Sequence, residues 1–489
     1  MKKILYCSIL FALLLTACGE QKSKEKITTA FQNSELSNEE RINDLISRMS
    51  LEQKVSQLIY QSVAIDSLDI PQYGWWNEAL HGVARSGQAT CLPQSIGLAA
   101  TWDEELMHQC ANVISDEGRA KYNEYVAKGK HGIYTGLTFW SPNINIFRDP
   151  RWGRGMETYG EDPYLTGRMG LQFTKGLQGD DAKYFKTIAT PKHYAVHSGP
   201  EALRHTFDAN TDEFDLWNTY FPAFRTCIQE GNAQSVMCAY NRFRGDACCG
   251  SDFLLNEVLR KRWGFSGYVV SDCDAIVDIF TGHKIAKSLD SASAIGLKAG
   301  TDLCCGDEYK TLVRAVQMNL VSEAVIDTAV KRLFNARMKL GMFDPADKVP
   351  YSKLGKNDVC TKQNSDIALQ AARKSIVLLK NNGILPLKKD IKSVAVIGPN
   401  ANDIDVLLGN YMGYPAEHVT PLNGIINKLS ADRVNYAEGC VIADFQGKPN
   451  KSYSIGAGKL SEVPSSALFT AEDKKQNGLN AEYFNNDTL

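Results

Sequence analysis

The chain has 489 residues, and this length predicts more than one domain, because single hydrophobic cores stop growing at about 250–300 residues. Hydrophobic residues make up 44% of the chain and charged residues 22%, which is typical of a globular protein. The formal net charge of −2 gives no support for nucleic-acid binding or for electrostatic attachment to a membrane. Function therefore has to be sought in local groups of residues.

The N-terminal residues predict export. A positively charged start is followed by an apolar segment, residues 4–15, that is too short to span a bilayer, and then by small residues and Cys18. This pattern resembles a bacterial lipoprotein signal, which is cleaved before a cysteine that then carries lipid. We expect a signal peptide at 1–17, lipidation of Cys18 and a polar tether at 18–39, with the protein anchored on the periplasmic side or at the cell surface. A plain secretory peptide is the alternative.

Eleven cysteines lie outside the predicted signal peptide and its lipidated residue, since two of the thirteen fall there. An oxidising compartment makes one or two disulfides plausible, but the sequence does not determine their pairing. The adjacent pairs Cys248-Cys249 and Cys304-Cys305 are not expected to bond within a pair. The absence of a C-x-x-C pair disfavours a zinc site.

Residues 37–60 predict two short helices separated by a break. The first helix has an apolar stripe that consists of Ile42, Leu45, Ile46 and Met49. Ser50 is placed to cap the second helix, which begins at Leu51.

Beyond Gln94, short apolar runs alternate with amphipathic segments. The strand candidates are Gly136–Asn145, Thr187–His197, Gln234–Tyr240 and Gly267–Asp272. The helix candidates are Glu104–Ala127, Glu213–Gln229, Phe253–Arg262, Ser291–Ala299 and Ser322–Leu340. This alternation predicts the α/β class with a parallel sheet covered by helices, and its length favours a (β/α)8 barrel over residues 40–345.

The pattern changes after residue 345. Residues 346–371 are interpreted as a linker, and a partial α/β sandwich domain is predicted for 372–460, where an apolar strand in 393–403 ends in Gly-Pro-Asn. No G-x-G-x-x-G motif follows this strand, so a nucleotide site is not indicated. Past Cys440 the chain becomes polar and rich in turns.

Residues able to bind and cleave a sugar gather in the predicted barrel. Residues 74–82 (GWWNEALHG) place two tryptophans beside a carboxylate, which suits a sugar because its ring has C–H bonds on one side and hydroxyls around the rim. Residues 139–163 are a long polar run that contains Trp140 and Arg154. Three further groups fall at the ends of predicted strands, and they are Lys192-His193, Tyr240 and Asp272. Because barrel active sites lie at strand ends, these groups predict one site.

Each group also has a structural interpretation. The tryptophans could belong to the core, and Arg154 with Glu157 could be a surface ion pair. Ser271 and Asp272 could cap a helix. The histidines at positions 193, 197 and 205 could suggest zinc, but they lie in a strand followed by a loop and form no H-E-x-x-H motif, so no metal is predicted.

Taken together, the motifs resemble family 3 glycoside hydrolases, and within them the β-xylosidase branch. The matching stretches, in family order between about residues 40 and 425, include WWNEALHGVA, SPNINIFRDPRWGRGMETYGEDP, PKHYAVHSGPE, SVMCAYN, WGFSGYVVSDCDAI and ARKSIVLLKNNGILPL. The resemblance implies a barrel followed by an α/β sandwich, with the active site between them and no cofactor. It implies that Asp272 is the nucleophile. It also implies that the substrate-binding walls of a one-sugar subsite are Glu78, Trp140, Arg154, Lys192, His193 and Tyr240.

The chemistry agrees with these roles. Retaining hydrolysis needs an ionised carboxylate that attacks the anomeric carbon and a protonated group that assists the leaving oxygen. Lys192 and Arg154, if close to Asp272, would favour its ionised form. Tyr240 could steady the nucleophile or the ring oxygen, and Asp274 is expected to cap the next helix.

The substrate expected from the resemblance is a xylo-oligosaccharide. Related glucosidases usually carry Ser-Asp-Trp where this chain has Ser271-Asp272-Cys273, and the indole of Trp140 or Trp75 could fill the space that a hexose hydroxymethyl would need. We therefore expect an exo-acting β-1,4-xylosidase. Within the family, β-glucosidase and α-L-arabinofuranosidase are the alternatives.

The general acid/base remains unassigned. In the family it is a glutamate far into the second domain, so we expect it beyond Leu489, and residues 461–489 resemble the start of an inserted β-sandwich of the kind found in anthrax protective antigen. A lipid-anchored sugar-binding protein without turnover is the rival hypothesis.

Overall fold

The computed structural model of the chain describes residues 29–199 and 201–440. The predicted signal peptide, Cys18, the first part of the tether and the predicted sandwich insert at 461–489 lie outside the described residues. Within the described part, no helix is long and apolar enough to cross a bilayer. The described chain mixes helices with mostly parallel strand pairs, which confirms the predicted α/β class.

The strands are β1 (Gln61–Ser62), β2 (Tyr73–Gly74), β3 (Thr138–Phe139), β4 (Ile188–Ala189), β5 (Asp208–Ala209), β6 (Ser235–Cys238), β7 (Arg242–Phe243), β8 (Asp246–Ala247), β9 (Tyr268–Ser271), β10 (Val394–Ile397) and β11 (Val434–Ala437). The α-helices are Asn38–Ser47, Leu51–Ser56, Ser95–Ala99, Glu104–Ala127, Pro163–Gln178, Glu213–Asp215, Pro222–Gln229, Ala275–Phe280, Leu289–Ala299, Leu312–Gln317, Glu323–Lys339, Lys362–Ser375, Ile404–Leu408 and Pro421–Leu429. Two further helical segments, Leu216–Tyr220 and Phe253–Arg262, are π-helical.

A ring of short strands forms the centre of the first unit. In the described chain the ring passes through β1, β2, β3, β4, β6, β9 and the segment 302–304, and the strand pairs β3–β4 and β6–β9 are parallel. It closes where the Tyr60 amide donates to the Cys304 carbonyl at 2.9 Å. Tyr268, Val269 and Val270 of β9 are fully buried, as expected for a strand covered on both faces. The barrel interpretation is therefore confirmed.

The ring is irregular at its second segment. β2 runs antiparallel to β1, whereas Asn77, three residues after β2, bridges Phe139 in parallel. The ten residues 63–72 that connect β1 with β2 are fewer than the dozen or more that a crossover to a parallel neighbour needs. The chain turns back instead, and this turn brings residues 75–78 to the mouth of the ring.

The two predicted N-terminal helices are confirmed. Ser37 and Ser50 each form a capping box, and their hydroxyls accept from the amides of Glu40 and Gln53. Ile42, Leu45 and Ile46 are buried as predicted.

The predicted tether is wrong for residues 29–39. Phe31 is buried, its amide donates to Asp44 Oδ2 at 3.0 Å, and its carbonyl accepts from Arg41 Nε at 2.9 Å. The burial of this aromatic side chain against the first helix fixes the stretch to the folded unit, while Glu35 and Ser37 stay exposed.

The predicted linker at 346–371 is also wrong over its last third. Thr361 caps the helix Lys362–Ser375, whose Ala371 is fully buried. Asn364 Nδ2 and the Cys360 amide both donate to Glu117 Oε1, at 2.9 and 2.8 Å, so this stretch is fixed to the helix Glu104–Ala127.

The second unit is a small parallel α/β arrangement. β10 pairs with β11 in parallel, and the helices Ile404–Leu408 and Pro421–Leu429 lie between them in the chain. Residues 408–414 pass along the mouth of the first unit. The Arg85 and Ala89 amides donate to the carbonyls of Met412 and Tyr414 at 2.8 and 2.9 Å.

Candidate active site

One cavity at the mouth of the ring contains all seven of the predicted site residues. Its volume is about 120 Å³. The lining residues are Trp76, Glu78, Trp140, Arg154, Lys192, His193, Arg204, Met237, Tyr240, Asp272, Cys273 and Tyr411. Trp140, Lys192, Tyr240 and Asp272 each follow the carboxyl end of a ring strand, and this shared edge brings them together.

Asp272 is held at one oxygen. Its Oδ1 accepts from the Cys273 amide at 2.8 Å. Its Oδ2 receives no hydrogen bond of normal geometry from the described residues. Burial raises the pKa of Asp272, while the positive charges of Arg154 and Lys192 act in the opposite direction. The two cations therefore favour the ionised form as predicted, but burial outweighs them.

His193 is a neutral spacer between Arg154 and Asp272. Its Nδ1 lies 2.8 Å from Asn145 Oδ1, an acceptor, so we assign the ring proton to Nδ1. Its Nε2 then accepts from Arg154 Nη1 at 3.3 Å. Burial and the charge of Arg154 hold the pKa of His193 well below 6.5. The 3.4 Å contact between His193 Nε2 and Asp272 Oδ2 is therefore not an ion pair.

Lys192 and Glu78 form a buried ion pair in the cavity wall. Lys192 Nζ lies 3.1 and 2.9 Å from the two Glu78 oxygens, and both side chains are 2% exposed. Burial raises the pKa of Glu78, and Lys192 opposes this. The ammonium has three N–H donors, so one remains for a ligand hydroxyl after two are directed at Glu78.

Arg154 is fixed by Glu157. Arg154 Nη2 lies 2.6 Å from Glu157 Oε2, and Nε lies 3.1 Å from both carboxylate oxygens. Burial acts to raise the pKa of Glu157, but the charge and hydrogen bonds of Arg154 overcome it, so the pKa is lowered. The alternative of a surface ion pair is wrong, because Glu157 is 3% exposed and Arg154 lines the cavity.

Two stacked indoles form the apolar wall. The rings of Trp76 and Trp140 are 5.6 Å apart and nearly parallel, with an interplanar angle of 12°. Trp76 Nε1 donates to Glu78 Oε1 at 3.3 Å. Trp140 Nε1 is buried and has no hydrogen-bond partner among the described residues. A buried donor of this kind is expected to meet a ligand or water.

Trp75 does not belong to this wall, so the suggestion that it fills the hydroxymethyl space is wrong. It is 1% exposed, packs against Tyr268 at 5.2 Å and donates from Nε1 to Ser62 Oγ at 2.8 Å. Neighbouring side chains in an extended segment point in opposite directions. The Trp75 side chain therefore lies in the core, and the Trp76 side chain lines the cavity.

Tyr240 closes the side of the cavity next to Asp272. Burial and the nearby carboxylate of Asp272 raise the pKa of Tyr240, so its hydroxyl keeps its proton, and it in turn lowers the pKa of Asp272. The Arg204 guanidinium lies 5.4 Å from the centre of the Tyr240 ring, and the His205 ring packs edge-on against it at 4.9 Å. Arg204 is a cavity residue that is not among the predicted site residues.

Tyr411 is the wall residue from the second unit, and it is not among the predicted site residues. Its ring lies 5.2 Å from Lys192 Nζ and 4.9 Å from the Arg85 guanidinium. Its φ of +50° is uncommon for a residue with a side chain, and backbone strain of this kind is concentrated at functional sites. In the sequence, the turn-forming residues Gly409-Asn410 directly before Tyr411 are the signal that could have indicated a functional loop here.

Asp274 does not cap the following helix through its side chain. It occupies the N-cap position of Ala275–Phe280, but its side chain makes no capping hydrogen bond, and its φ is +64°. Its amide donates to the Cys305 carbonyl at 2.7 Å. This left-handed conformation is the reason why the expected cap fails.

Three histidines that raised the question of zinc have separate partners. His193 Nδ1 contacts Asn145, and His197 Nδ1 lies 3.1 Å from Asn241 Oδ1. His205 Nδ1 lies 2.7 Å from Asp278 Oδ2.

Two disulfides are present in the described residues, Cys238–Cys249 and Cys273–Cys305. Cysteines within an adjacent pair are not bonded to each other, as predicted. In each adjacent pair one member is bridged, while Cys248 and Cys304 stay as buried thiols.

A larger cleft of about 870 Å³ lies beside the cavity, and Asp272 does not line it. Trp152 lines this cleft and packs edge-on against His197, whose ring lies 5.1 Å from His193. The cavity that contains Asp272, at about 120 Å³, is smaller than the roughly 300–1,000 Å³ typical of pockets for drug-sized ligands. This size suits a single sugar ring.

Comparison with known proteins gives two family matches. The description "Glycosyl hydrolase family 3 N terminal domain" matches residues 46–336, and "Glycosyl hydrolase family 3 C-terminal domain" matches residues 376–482. The first match covers more than half of the chain. It includes each of the seven predicted site residues.

Similar curated proteins include a xylan 1,4-beta-xylosidase of Xylanibacter ruminicola, 45% identical over 84% of this chain and 48% of its own length. A beta-xylosidase/alpha-L-arabinofuranosidase of Medicago sativa subsp. varia is 41% identical over 87% of this chain and 56% of its own length. The chain thus spans about half the length of the curated relatives it matches.

Similar solved structures include a GH3 exo-beta-xylosidase (XlnD) in complex with a xylobiose aziridine activity-based probe, with a TM-score of 0.79 and 35% identity. The match covers 85% of this chain and 54% of that one. A beta-glucosidase from Listeria innocua in complex with isofagomine has a TM-score of 0.69 and 26% identity, and covers 81% of this chain and 59% of that one.

Proposed function

Because the chain belongs to glycosyl hydrolase family 3, we propose that it carries the nucleophile of a retaining exo-glycosidase. This enzyme removes terminal β-D-xylosyl residues from xylo-oligosaccharides. Asp272 is the nucleophile, and the sugar is held by Glu78, Trp140, Arg154, Lys192, His193 and Tyr240. Tyr411 and Trp76 complete the wall.

The observation that carries the proposal is the state of the Asp272 carboxylate. Oδ1 is fixed by the Cys273 amide, and Oδ2 is left without a normal hydrogen bond from the described residues of a cavity of about 120 Å³. An oxygen in this state is available to form a bond with C1 of a bound sugar. A buried carboxylate without such a task would be expected to have its oxygens satisfied.

The reaction proceeds in two displacements. One Asp272 oxygen forms a bond to C1 while the bond between C1 and the leaving oxygen breaks, and the leaving group takes the bonding electron pair and a proton from a general acid. In the second displacement, water gives a proton to a general base and attacks C1, and the bond between C1 and Asp272 breaks with its electron pair returning to the carboxylate. Positive charge develops at the sugar ring in both transition states, and hydrogen bonds from Lys192 and Arg154 to ring hydroxyls position the sugar beside the nucleophile.

No residue is assigned as the general acid. Among the described residues that line the cavity, only Glu78 and Asp272 carry carboxyl groups, and Glu78 is ion-paired with Lys192. The expectation that a glutamate beyond Leu489 supplies the proton stays a prediction. Tests of Asp272 should therefore use substrates whose leaving groups depart without protonation.

Xylose is the preferred sugar in this proposal because the curated relatives named above are β-xylosidases that match over most of this chain. The stacked rings of Trp76 and Trp140 line this cavity of about 120 Å³ and give it an apolar wall for the sugar. α-L-Arabinofuranosidase activity is the second candidate, since it appears in the name of the Medicago relative. β-Glucosidase activity is the third, after the structural relative from Listeria.

The test is covalent labelling with 2,4-dinitrophenyl 2-deoxy-2-fluoro-β-D-xyloside, followed by mass spectrometry of peptides. The proposal predicts one fluoroxylosyl adduct on Asp272 and none in an Asp272→Asn variant, with an Asp274→Asn variant as the matched control that still labels. The arabinofuranosyl and glucosyl analogues should label more slowly. Xylose binding without any adduct would support the sugar-binding alternative, and faster glucosyl labelling would contradict the xylose assignment.

The lipid anchor is a separate proposal. Cys18 follows the predicted signal peptide and would attach the protein to a membrane through acyl chains. Metabolic labelling with an alkynyl fatty acid should mark the wild-type protein and leave a Cys18→Ser variant unmarked. Labelling of that variant would contradict the assignment.

A further inference from the structure

The residue that follows the nucleophile is covalently bound to another segment of the ring. Cys273 forms a disulfide with Cys305, 32 positions later in the chain. The Cys273 amide is also the group that donates to Asp272 Oδ1, at 2.8 Å. The disulfide therefore anchors the residue whose backbone orients the carboxylate.

Cys305 holds the chain on both sides of Asp272. The Cys305 amide donates to Ser271 Oγ at 2.9 Å, and the Cys305 carbonyl accepts from the Asp274 amide at 2.7 Å. β9 ends at Ser271, and the last hydrogen bond of the β6–β9 pairing is donated by the Asp272 amide to the Cys238 carbonyl at 3.2 Å. Beyond that point the disulfide is the covalent restraint on the peptide unit between Asp272 and Cys273.

We propose that the Cys273–Cys305 disulfide positions the nucleophile, so that its loss slows the attack on C1 while sugar binding is retained. The two cysteines are positioning residues that act through Asp272. This inference rests on the proposed function. Arg154, Lys192 and the stacked indoles reach the sugar from other segments, and therefore the affinity for the sugar should survive reduction.

The other disulfide provides an internal reference. Cys238 and Cys249 are fully buried, at 0% and 1% exposure, whereas Cys273 is half-buried and lines the cavity. A small thiol reductant should therefore reach the Cys273–Cys305 bond first. Reduction by dithiothreitol transfers two electrons, converts the disulfide to two thiols and leaves the reductant as a cyclic disulfide.

The experiment compares labelling of the oxidised and reduced chain with 2,4-dinitrophenyl 2-deoxy-2-fluoro-β-D-xyloside. In this step an Asp272 oxygen bonds to C1 as the bond from C1 to dinitrophenolate breaks, and the anion leaves with the electron pair, so no general acid is needed. We expect the limiting rate kinact to fall by about 10- to 100-fold, because displacements of about 1 Å at a reacting group have effects of that size. The half-saturation constant KI should change by less than about twofold.

Two variants complete the test. Cys273→Ser/Cys305→Ser should label as slowly as the reduced wild type and should not respond to dithiothreitol. Cys110→Ser, which removes a buried thiol from the helix Glu104–Ala127, should behave as the wild type and keep its response. Circular dichroism before and after reduction reports whether the fold is retained.

Equal kinact in the oxidised and reduced chain would overturn the inference and leave the proposed function intact. A reduced chain that unfolds would also overturn it, because the disulfide would then maintain the fold rather than the nucleophile. Absence of any adduct on Asp272 in the oxidised chain would overturn the proposed function and this inference with it.

Discussion

Replacing Lys192 by methionine should strongly destabilise the folded chain at neutral pH. Lys192 Nζ lies 2.9 Å from Glu78 Oε2, and both side chains are 2% exposed. Methionine keeps most of the side-chain volume and removes the charge, so Glu78 loses its counter-charge without a large cavity. Breaking a buried ion pair in this way costs about 3–5 kcal/mol.

The pH dependence identifies the cause. Burial already raises the pKa of Glu78, and without Lys192 the pKa rises further. The range of about 3–5 kcal/mol corresponds to about two to four pH units at 1.36 kcal/mol per unit. A carboxyl group whose pKa is raised in the folded state lowers the free energy of unfolding once it ionises. This loss of stability is absent below the unfolded-state pKa of about 4.5 and grows as pH rises toward the folded-state pKa. The variant should therefore approach wild-type stability at pH 5 and differ most at pH 7.5.

Urea unfolding at pH 5 and pH 7.5, followed by tryptophan fluorescence, measures this difference. The double variant Lys192→Met/Glu78→Gln should recover a large part of the loss at pH 7.5, because no buried charge remains. Lys128→Met, which breaks the exposed pair with Glu124, is the matched control and should change the free energy of unfolding by less than about 0.5 kcal/mol. An equal deficit at both pH values would refute the electrostatic account.

Three further predictions concern the site and one helix. The rate at which Asp272 is labelled should decline as pH falls through its raised pKa. Because the Tyr240 hydroxyl lowers the pKa of Asp272, Tyr240→Phe should move this decline to higher pH. A series of kinact measurements against pH tests the shift, and an unchanged profile would contradict it. Tyr411→Ala should raise KI about fivefold, which is equivalent to about 1 kcal/mol. Tyr414 is exposed, so Tyr414→Ala is the control and should leave KI unchanged. Equal KI values in the two variants would exclude a role for Tyr411. Ser50→Ala should lower the free energy of unfolding by about 1 kcal/mol, because the capping box is lost. Ser47 is exposed and caps no helix, so Ser47→Ala is the control and should have a smaller effect.

The sequence was most informative at strand ends and helix caps. The helix Glu104–Ala127 has the predicted bounds, because Asp103 caps its start and its buried face is long. Asp272, Tyr240 and Lys192 were predicted together since each ends an apolar run, and parallel strands place such ends at one edge. Helix caps and strand ends could be predicted because residues close together in the sequence determine where a helix begins and where a strand ends.

The sequence did not decide which of two adjacent tryptophans meets the ligand. Side-chain alternation places one of Trp75 and Trp76 on each face, but both faces here are apolar or aromatic. Only the turn between β1 and β2 fixes which face is the cavity. Tyr411 was missed for a related reason, since its place over Lys192 depends on how the second unit packs against residues 85–89.

The helix Pro163–Gln178 was missed because it contains three glycines within its length. Glycine disfavours an isolated helix by about 1 kcal/mol per residue. Here Gly170 and Gly176 allow close packing, and a Cβ at Gly176 would lie 2.6 Å from the Ala111 side chain. The tertiary contacts of this helix replace the local propensity that the sequence lacks.

The most direct test of the central claim is the crystal structure of the chain after reaction with the fluoroxylosyl probe. The account predicts continuous electron density between C1 of the pentose and an Asp272 carboxylate oxygen, with the ring against Trp140 and its hydroxyls within hydrogen-bond distance of Lys192 and Arg154. Density for the sugar on another carboxylate, or an unreacted Asp272 with the probe bound elsewhere, would contradict it.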